Sequence, residues 1–288
     1  VLGLATLLSV AGCEQQPLQL GPRRGNPTRE PQTPKITLLT YNVQSDPTWA
    51  RARGPALLAL LKEADADIIA LQEVAPWFMK QLRGRPWFRR YHRTPVRRAD
   101  IVPGGLLILS TFPIDRTLLA RLPGKQERLA LLADLRINGK TFAVVTTHLE
   151  TTPRAGALRA AQLDRIFPLL QHAPDAVLMG DLSFGDDAEP ETKHLPKRYK
   201  DAWIALRRNA PGYTWDRDRN ALAHHTARPD EQNRRAGRIL GRSNVWLPHT
   251  IRVVGTRPIT RSGPVLFASD HFGVLAVVEY CPGAPAFY

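Results

Sequence analysis

Five short apolar runs in this chain each meet an amide, carboxylate or imidazole at one end. Ile36-Thr37-Leu38-Leu39-Thr40-Tyr41 hands over to Asn42, and Asp67-Ile68-Ile69-Ala70-Leu71 to Gln72-Glu73. Thr141 to Thr147 runs into His148-Leu149-Glu150, and Ala176-Val177-Leu178-Met179 into Gly180-Asp181. Ser269-Asp270-His271 stands immediately before Gly273 to Val278. Continuous apolar, β-branched runs of this length read as buried strands. A buried strand tolerates such polar groups only at its ends, and strand ends are where sites assemble in layered α/β folds. Singly, each residue has a structural explanation. Asn42 and Asp181 suit turns, Glu73 and Asp270 suit a solvated surface, and His148 suits a satisfied core. Five such ends in chain order weigh more than any one of them.

The intervening segments narrow the class. Trp49 to Lys62 carries Leu57, Leu58 and Leu61 at helical spacing, and Gly156 to Leu170 carries Leu163, Ile166, Phe167 and Leu170. Tyr199 to Arg207 reads as a further helix. Gly105 to Ser110, Arg238-Ile239-Leu240 and Ile251 to Val254 read as strands, with a turn at Phe112-Pro113. Asn138-Gly139 between Arg128–Ile137 and Thr141–His148 is a strong hairpin signal. Strands outnumber helices, and hairpins mix with helical crossovers. The class is α/β, sheet packed on sheet with helices outside. There is no internal repeat, no Walker-type phosphate loop and no zinc-spaced Cys/His set.

The N-terminus predicts processing. Val1 to Gly12 is uncharged and apolar or small, too short to span a bilayer but as long as a signal-peptide core. Val10-Ala11-Gly12-Cys13 resembles a bacterial lipoprotein cleavage site, which implies lipidation of Cys13 and an exported, membrane-anchored protein on the periplasmic or cell-surface face. With Cys13 lipidated, Cys281 has no partner for an internal disulfide. Residues 14–34, rich in Pro, Gln, Gly and Arg, suit a flexible tether, and the domain is expected over 35–288. The net charge of +14, from 40 Lys+Arg against 26 Asp+Glu, favours anionic partners or simply solvates the surface.

Thr40-Tyr41-Asn42-Val43, Leu71-Gln72-Glu73-Val74, Thr147-His148-Leu149-Glu150, Met179-Gly180-Asp181-Leu182 and Ser269-Asp270-His271-Phe272-Gly273 resemble the successive motifs of the endonuclease/exonuclease/phosphatase superfamily. The resemblance runs from about Lys35 to Val278 and includes Tyr213-Thr214-Trp215-Asp216. It implies a four-layered α/β sandwich with two central mixed sheets, as in deoxyribonuclease I. It also implies a monomeric, Mg²⁺-dependent (or Mn²⁺-dependent) hydrolase of phosphate esters. By resemblance, Glu73 is the principal metal ligand and Asp270 a second acidic residue near the metal. Asn42 orients the phosphate, His148 lies beside it, Asp181 positions or deprotonates the attacking water, and His271 stabilises the phosphoryl oxygens. Ser183 and Trp215 are placed at the substrate.

Two positions depart from the family pattern. Ser183 stands where an Asn is usual. Gly237 aligns with an Asp that hydrogen-bonds the final histidine, leaving Asp230 or Glu231 in the preceding loop as candidate substitutes. Nucleic acid is the favoured substrate class, from the charge and the broad nuclease likeness. Cleavage of phospholipid or sphingomyelin headgroups, and a degenerate lipoprotein that only binds polyanions, are the alternatives.

Overall fold

A computed structural model describes residues 18–20, 35–96, 102–208, 210–260 and 262–282. Cys13, the N-terminal apolar run and most of segment 14–34 lie outside the described residues.

One sheet holds β1 (Leu18–Leu20), β6 (Ile114–Arg121), β7 (Leu129–Ile137), β8 (Lys140–Thr147), β9 (Asp175–Asp181), β10 (Lys200–Asp201) and β11 (Gly237–Arg242), in the order β1-β6-β7-β8-β9-β11-β10. The other holds β2 (Lys35–Asn42), β3 (Ile68–Gln72), β4 (His92–Arg93), β5 (Leu107–Ser110), β12 (Trp246–Val254) and β13 (Gly273–Tyr280), in the order β12-β13-β2-β3-β5-β4. Both sheets are mixed: β2 runs parallel to β3, and β8 to β9. β1 falls inside the segment expected to be a tether and pairs with β6.

Alternation along the strands builds the layers. Ile36 and Leu38 of β2 face the other sheet and pack in one core with Val144, Val177 and Met179. Leu39 and Tyr41 point the opposite way, onto Leu57 and Leu61 of α1 (Ala50–Ala64) and Phe78 of α2 (Pro76–Arg83). Leu132, Val145 and Leu178 cover the outer face of the first sheet against Leu163 and Ile166 of α3 (Gly156–Ile166). Each such side chain, fully buried, contributes about 1.5–3 kcal/mol. The result is the four-layered α/β sandwich anticipated from the sequence.

Asn138 and Gly139 turn the β7–β8 hairpin with φ of 50° and 74°, the two positive values that a tight hairpin turn of matching twist requires. The helix read over Gly156–Leu170 stops at Ile166 and finishes as a 3₁₀ turn over Phe167–Leu170, because Pro168 has no N–H to continue the ladder. The helix read from Tyr199 begins only at Ala202, as α4 (Ala202–Arg207), where Asp201 caps it by accepting from the Trp203 and Ile204 amides. Among the described residues no helix is long and apolar enough to cross a membrane.

The topology gathers the functional strand ends. β2 and β3 share a direction, as do β8 and β9, while β13 and β11 run antiparallel to β2 and β9. The last residues of four strands and the first of two others therefore meet at one edge. Beneath that edge the buried Gln72 amide donates to Thr40 Oγ1 at 3.1 Å and across to Thr146 Oγ1 at 2.9 Å, tying the two sheets together.

Candidate active site

The five polar strand ends converge. Asn42, the last residue of β2, donates from Nδ2 to Glu73 Oε1 and to Asp181 Oδ2, both at 3.0 Å, and so joins the two sheets. His148 lies with Nδ1 3.6 Å from Glu73 Oε1 and Nε2 3.7 Å from Asp181 Oδ2. His271 Nδ1 is 3.4 Å from the same Asp181 oxygen. Ser269 Oγ donates to the Asn42 carbonyl at 2.7 Å, and the Asp270 amide to Gln44 Oε1 at 3.2 Å, which brings the loop before β13 over the end of β2.

Local backbone shape makes this convergence possible. Gly180 pairs so closely with β8 that an added Cβ would lie 2.3 Å from the Thr147 carbonyl oxygen. Gly105 packs under Glu73, with φ of 67°. Gln44, Glu73 and Ser183 all adopt left-handed conformations, with φ of 57°, 57° and 59°. That region costs a non-glycine residue about 1 kcal/mol. It is held by specific bonds: the Ser45 amide and hydroxyl both donate to Glu73 Oε2 at 2.9 Å, and the Ser183 amide donates to Asp181 Oδ1 at 2.9 Å.

The electrostatics separate the carboxylates. Burial works against ionising Asp181, but the His271 and His148 charges and the Asn42 amide outweigh it, so its carboxyl sits well below the ordinary range. Glu73 is lowered in the same way, against burial, by His148, Ser45 and Asn42. Asp270 goes the other way: burial and the Glu73 charge push it up to about 6, against His271, Arg53 and Ser269. Burial lowers His148, against the pull of Asp181 and Glu73, and Arg128 adds to the lowering.

The side chains assigned to the substrate are placed differently from one another. Ser183 reaches inward, its hydroxyl donating to Asp181 Oδ1 at 3.2 Å, so it orients the carboxylate. Trp215 is buried, its ring 4.8 Å from the His271 ring and capped by the Arg234 guanidinium at 5.2 Å. It backs the histidine instead of presenting a free stacking face. Gly237 pairs directly with Asp181 across β11 and β9, and its amide donates to Thr214 Oγ1 at 2.7 Å. The Glu231 carboxylate is committed to the Arg228 amide and Arg234 Nη2. What faces His271 Nδ1 is Asp181.

Sequence reasoning missed Arg53, Ser45, Arg128 and Arg234. Arg128 directly precedes β7 and Ser45 follows β2 by three residues, but in an arginine-rich chain Arg53, Arg128 and Arg234 carry no signal by residue type, and neither does a single serine. Ser183 and Arg234 border a groove of about 710 Å³ that also touches Thr151, Asp186 and Tyr213.

The family model described as "Endonuclease/Exonuclease/phosphatase family" matches residues 39–271. The chain belongs to that family. Among members of the endonuclease/exonuclease/phosphatase family, it is 26% identical to tyrosyl-DNA phosphodiesterase 2 of Rattus norvegicus over 88% of this chain and 69% of the relative. It is 27% identical to that of Xenopus laevis over 83% of this chain and 65% of the relative, so the chain spans about two thirds of the length of these proteins. A crystal structure of D. rerio TDP2 complexed with single strand DNA product superposes with a TM-score of 0.73 at 22% identity, covering 85% of this chain and 99% of that one. At that identity the likeness speaks for the fold.

Proposed function

We propose that the chain is a divalent-metal-dependent phosphodiesterase acting on nucleic acid. The reading rests on one observation: Asn42, Glu73, His148, Asp181 and His271 meet through contacts of 3.0–3.7 Å at the common end of the two sheets. The resemblance of the rat relative, a tyrosyl-DNA phosphodiesterase, supports the reaction class.

The donor set fits a hard cation. Glu73 and Asp270 offer carboxylate oxygens close enough for one charge to raise the other's pKa. Among the described residues no group of three or more His, Cys, Asp or Glu side chains is placed to hold a metal ion. Mg²⁺ and Mn²⁺ need only one or two carboxylates, with the remaining positions left to water and substrate phosphate. A bound cation of this kind neutralises charge on the phosphoryl oxygens.

The chain's own residues supply the rest. Asp181 stays ionised at neutral pH and is fixed on both oxygens, so it accepts a hydrogen bond from a water and aims it in line with the scissile bond. Its depressed pKa makes it a better orienter than proton sink. Asn42 Nδ2 keeps Glu73 and Asp181 at a fixed spacing. His148 and His271 flank Asp181 as donors toward a phosphoryl oxygen that gains charge. The groove beside Ser183 gives the remainder of a strand a place to lie.

Hydrolysis of a single-stranded oligonucleotide and of a bis-nitrophenyl phosphate ester, each with and without EDTA, tests the reading. Sphingomyelin serves as the competing substrate. Activity on the first two is expected, lost in EDTA and in Glu73→Ala. A Glu73→Ala protein with full rate would sink it. We propose in addition export with a lipid on Cys13, supported by the apolar run ending in Val10-Ala11-Gly12-Cys13, and testable by mass spectrometry of that cysteine.

A further inference from the structure

Arg53 is a charged residue in α1 with only 1% of its surface exposed. A guanidinium has five N–H donors in a rigid planar fork, and here each finds a different backbone carbonyl. Nε donates to Ala268 O at 3.0 Å, Nη1 to Asp46 O at 2.9 Å and Thr48 O at 3.2 Å, and Nη2 to Val43 O and Gln44 O at 2.9 Å each. The Trp77 ring lies 5.6 Å from the same guanidinium, and Trp77 Nε1 donates to Ser45 O at 2.9 Å.

The consequence is directional. Carbonyls of residues 43–46 and 48 all turn toward Arg53 and Trp77. With the carbonyls drawn to that side, amides of the same loop face the site: Gln44 N donates to Asn42 Oδ1 at 3.0 Å and Ser45 N to Glu73 Oε2 at 2.9 Å. The fifth bond, to Ala268, reaches the segment that carries Asp270. One side chain thus fixes the loop that holds Glu73 and the loop that bears Asp270.

We propose that Arg53 is a positioning residue that sets the Glu73–Asp270 separation and thereby selects a small divalent cation over a large one. Mg²⁺ demands near-ideal octahedral geometry at short distances, whereas Ca²⁺ accepts longer and more variable ones. Loosening the gap therefore penalises Mg²⁺ first. The inference rests on Glu73 and Asp270 being the cation ligands.

Arg53→Lys keeps the charge and removes the fork, since an ammonium has three donors. Titration calorimetry of the full chain with MgCl₂ and with CaCl₂ is the measurement. The Mg²⁺ Kd is expected to rise about 10-fold or more, the scale for residues that orient ligands, with a much smaller change for Ca²⁺. A purely structural role lowers Tm but leaves the Mg²⁺/Ca²⁺ ratio as in the wild type, and that result overturns the inference. If Arg53→Lys does not fold, Trp77→Phe removes only the bond to Ser45 O and keeps a ring over the guanidinium. It is expected to shift the ratio the same way by a smaller factor, and an unchanged ratio in that variant overturns the inference equally. Glu73→Ala is the control. Wild-type cation binding that survives in Glu73→Ala overturns the metal-site assignment itself, a result separate from any behaviour of Arg53.

Discussion

Asp181 and Asp270 are carboxylates of one cleft driven in opposite directions. Two imidazoles and an amide hold Asp181 ionised, while burial beside Glu73 raises Asp270 from 3.8 to about 6. Because the folded pKa of Asp270 is the higher one, the folded chain binds its proton more tightly than the unfolded chain. That contribution to stability is fully present below about pH 4 and is lost as pH rises through about 6. In the absence of divalent cation, Asp270→Asn is therefore expected to gain Tm relative to the wild type as pH is raised from about 4 to about 8. A pH-independent difference between the two melting curves would refute the assignment. Gly237 supplies a second test at this scale. The nearest atoms a Cβ there would meet are those of the Thr214 side chain, at 3.4 Å and beyond, which is ordinary contact. Residues directly paired across antiparallel strands point to the same face, so a side chain at 237 rises beside Asp181. Gly237→Asp should fold and should raise kcat by roughly tenfold or more, by giving His271 a carboxylate that stabilises its imidazolium. An unchanged kcat in a folded variant would mean that Asp181 already fills the role.

Among elements, the strands that were legible are those buried on both faces. β2, β3, β8 and β9 are apolar runs because each is covered by a helix layer on one side and the partner sheet on the other, and their polar ends stand out for that reason. β12 was read only over Ile251–Val254. Its first half includes Pro248 and His249, is partly exposed and contains a register shift against β13, which are features of an edge strand. β6 went unread because Ile114 is followed at once by Asp115 and Arg116, whose charges are met by Arg136 and Asp134 of the neighbouring strand. α2 has only eight residues and opens on Pro76, a length at which periodicity gives little signal. The β8–β9 pairing yields the clearest stability prediction. It brings His148 opposite Asp181, and it closes only because Gly180 has no Cβ. Gly180→Ala must push Thr147 backbone aside. It is expected to cost about 3 kcal/mol in urea unfolding and to lose activity at temperatures where the protein is still folded. A loss of stability without a loss of rate would show that the spacing of His148 and Asp181 is not critical.

For the molecule as a whole, the net charge of +14 was legible at once but its placement was not, because arginines scattered in sequence need not be scattered in space. Some are absorbed into structure. Arg235 and Arg238 are buried against Asp186 and Asp201, and Arg159 against Glu191. Others border the active edge. Arg128 donates to the Gln126 amide and is near enough to lower both Glu150 and His148. Arg234, ion-paired with Glu231, lies over Trp215 at the rim of the groove, and its charge helps to depress Asp181. A cationic rim of this kind matters in proportion to the number of phosphates a substrate presents. Binding a strand releases condensed counterions, with a salt slope of about −0.7 per phosphate contact for single strands, whereas a small diester has no such atmosphere. Raising salt from about 50 to 200 mM is therefore expected to increase KM for a single-stranded oligonucleotide about sevenfold for two phosphate contacts and about 20-fold for three. KM for the bis-nitrophenyl ester should barely move, and kcat should hold for both, since the contacts of the reacting centre are short and buried. Equal salt sensitivity for the two substrates would assign the positive charge to solubility, leaving the cleft alone to account for recognition.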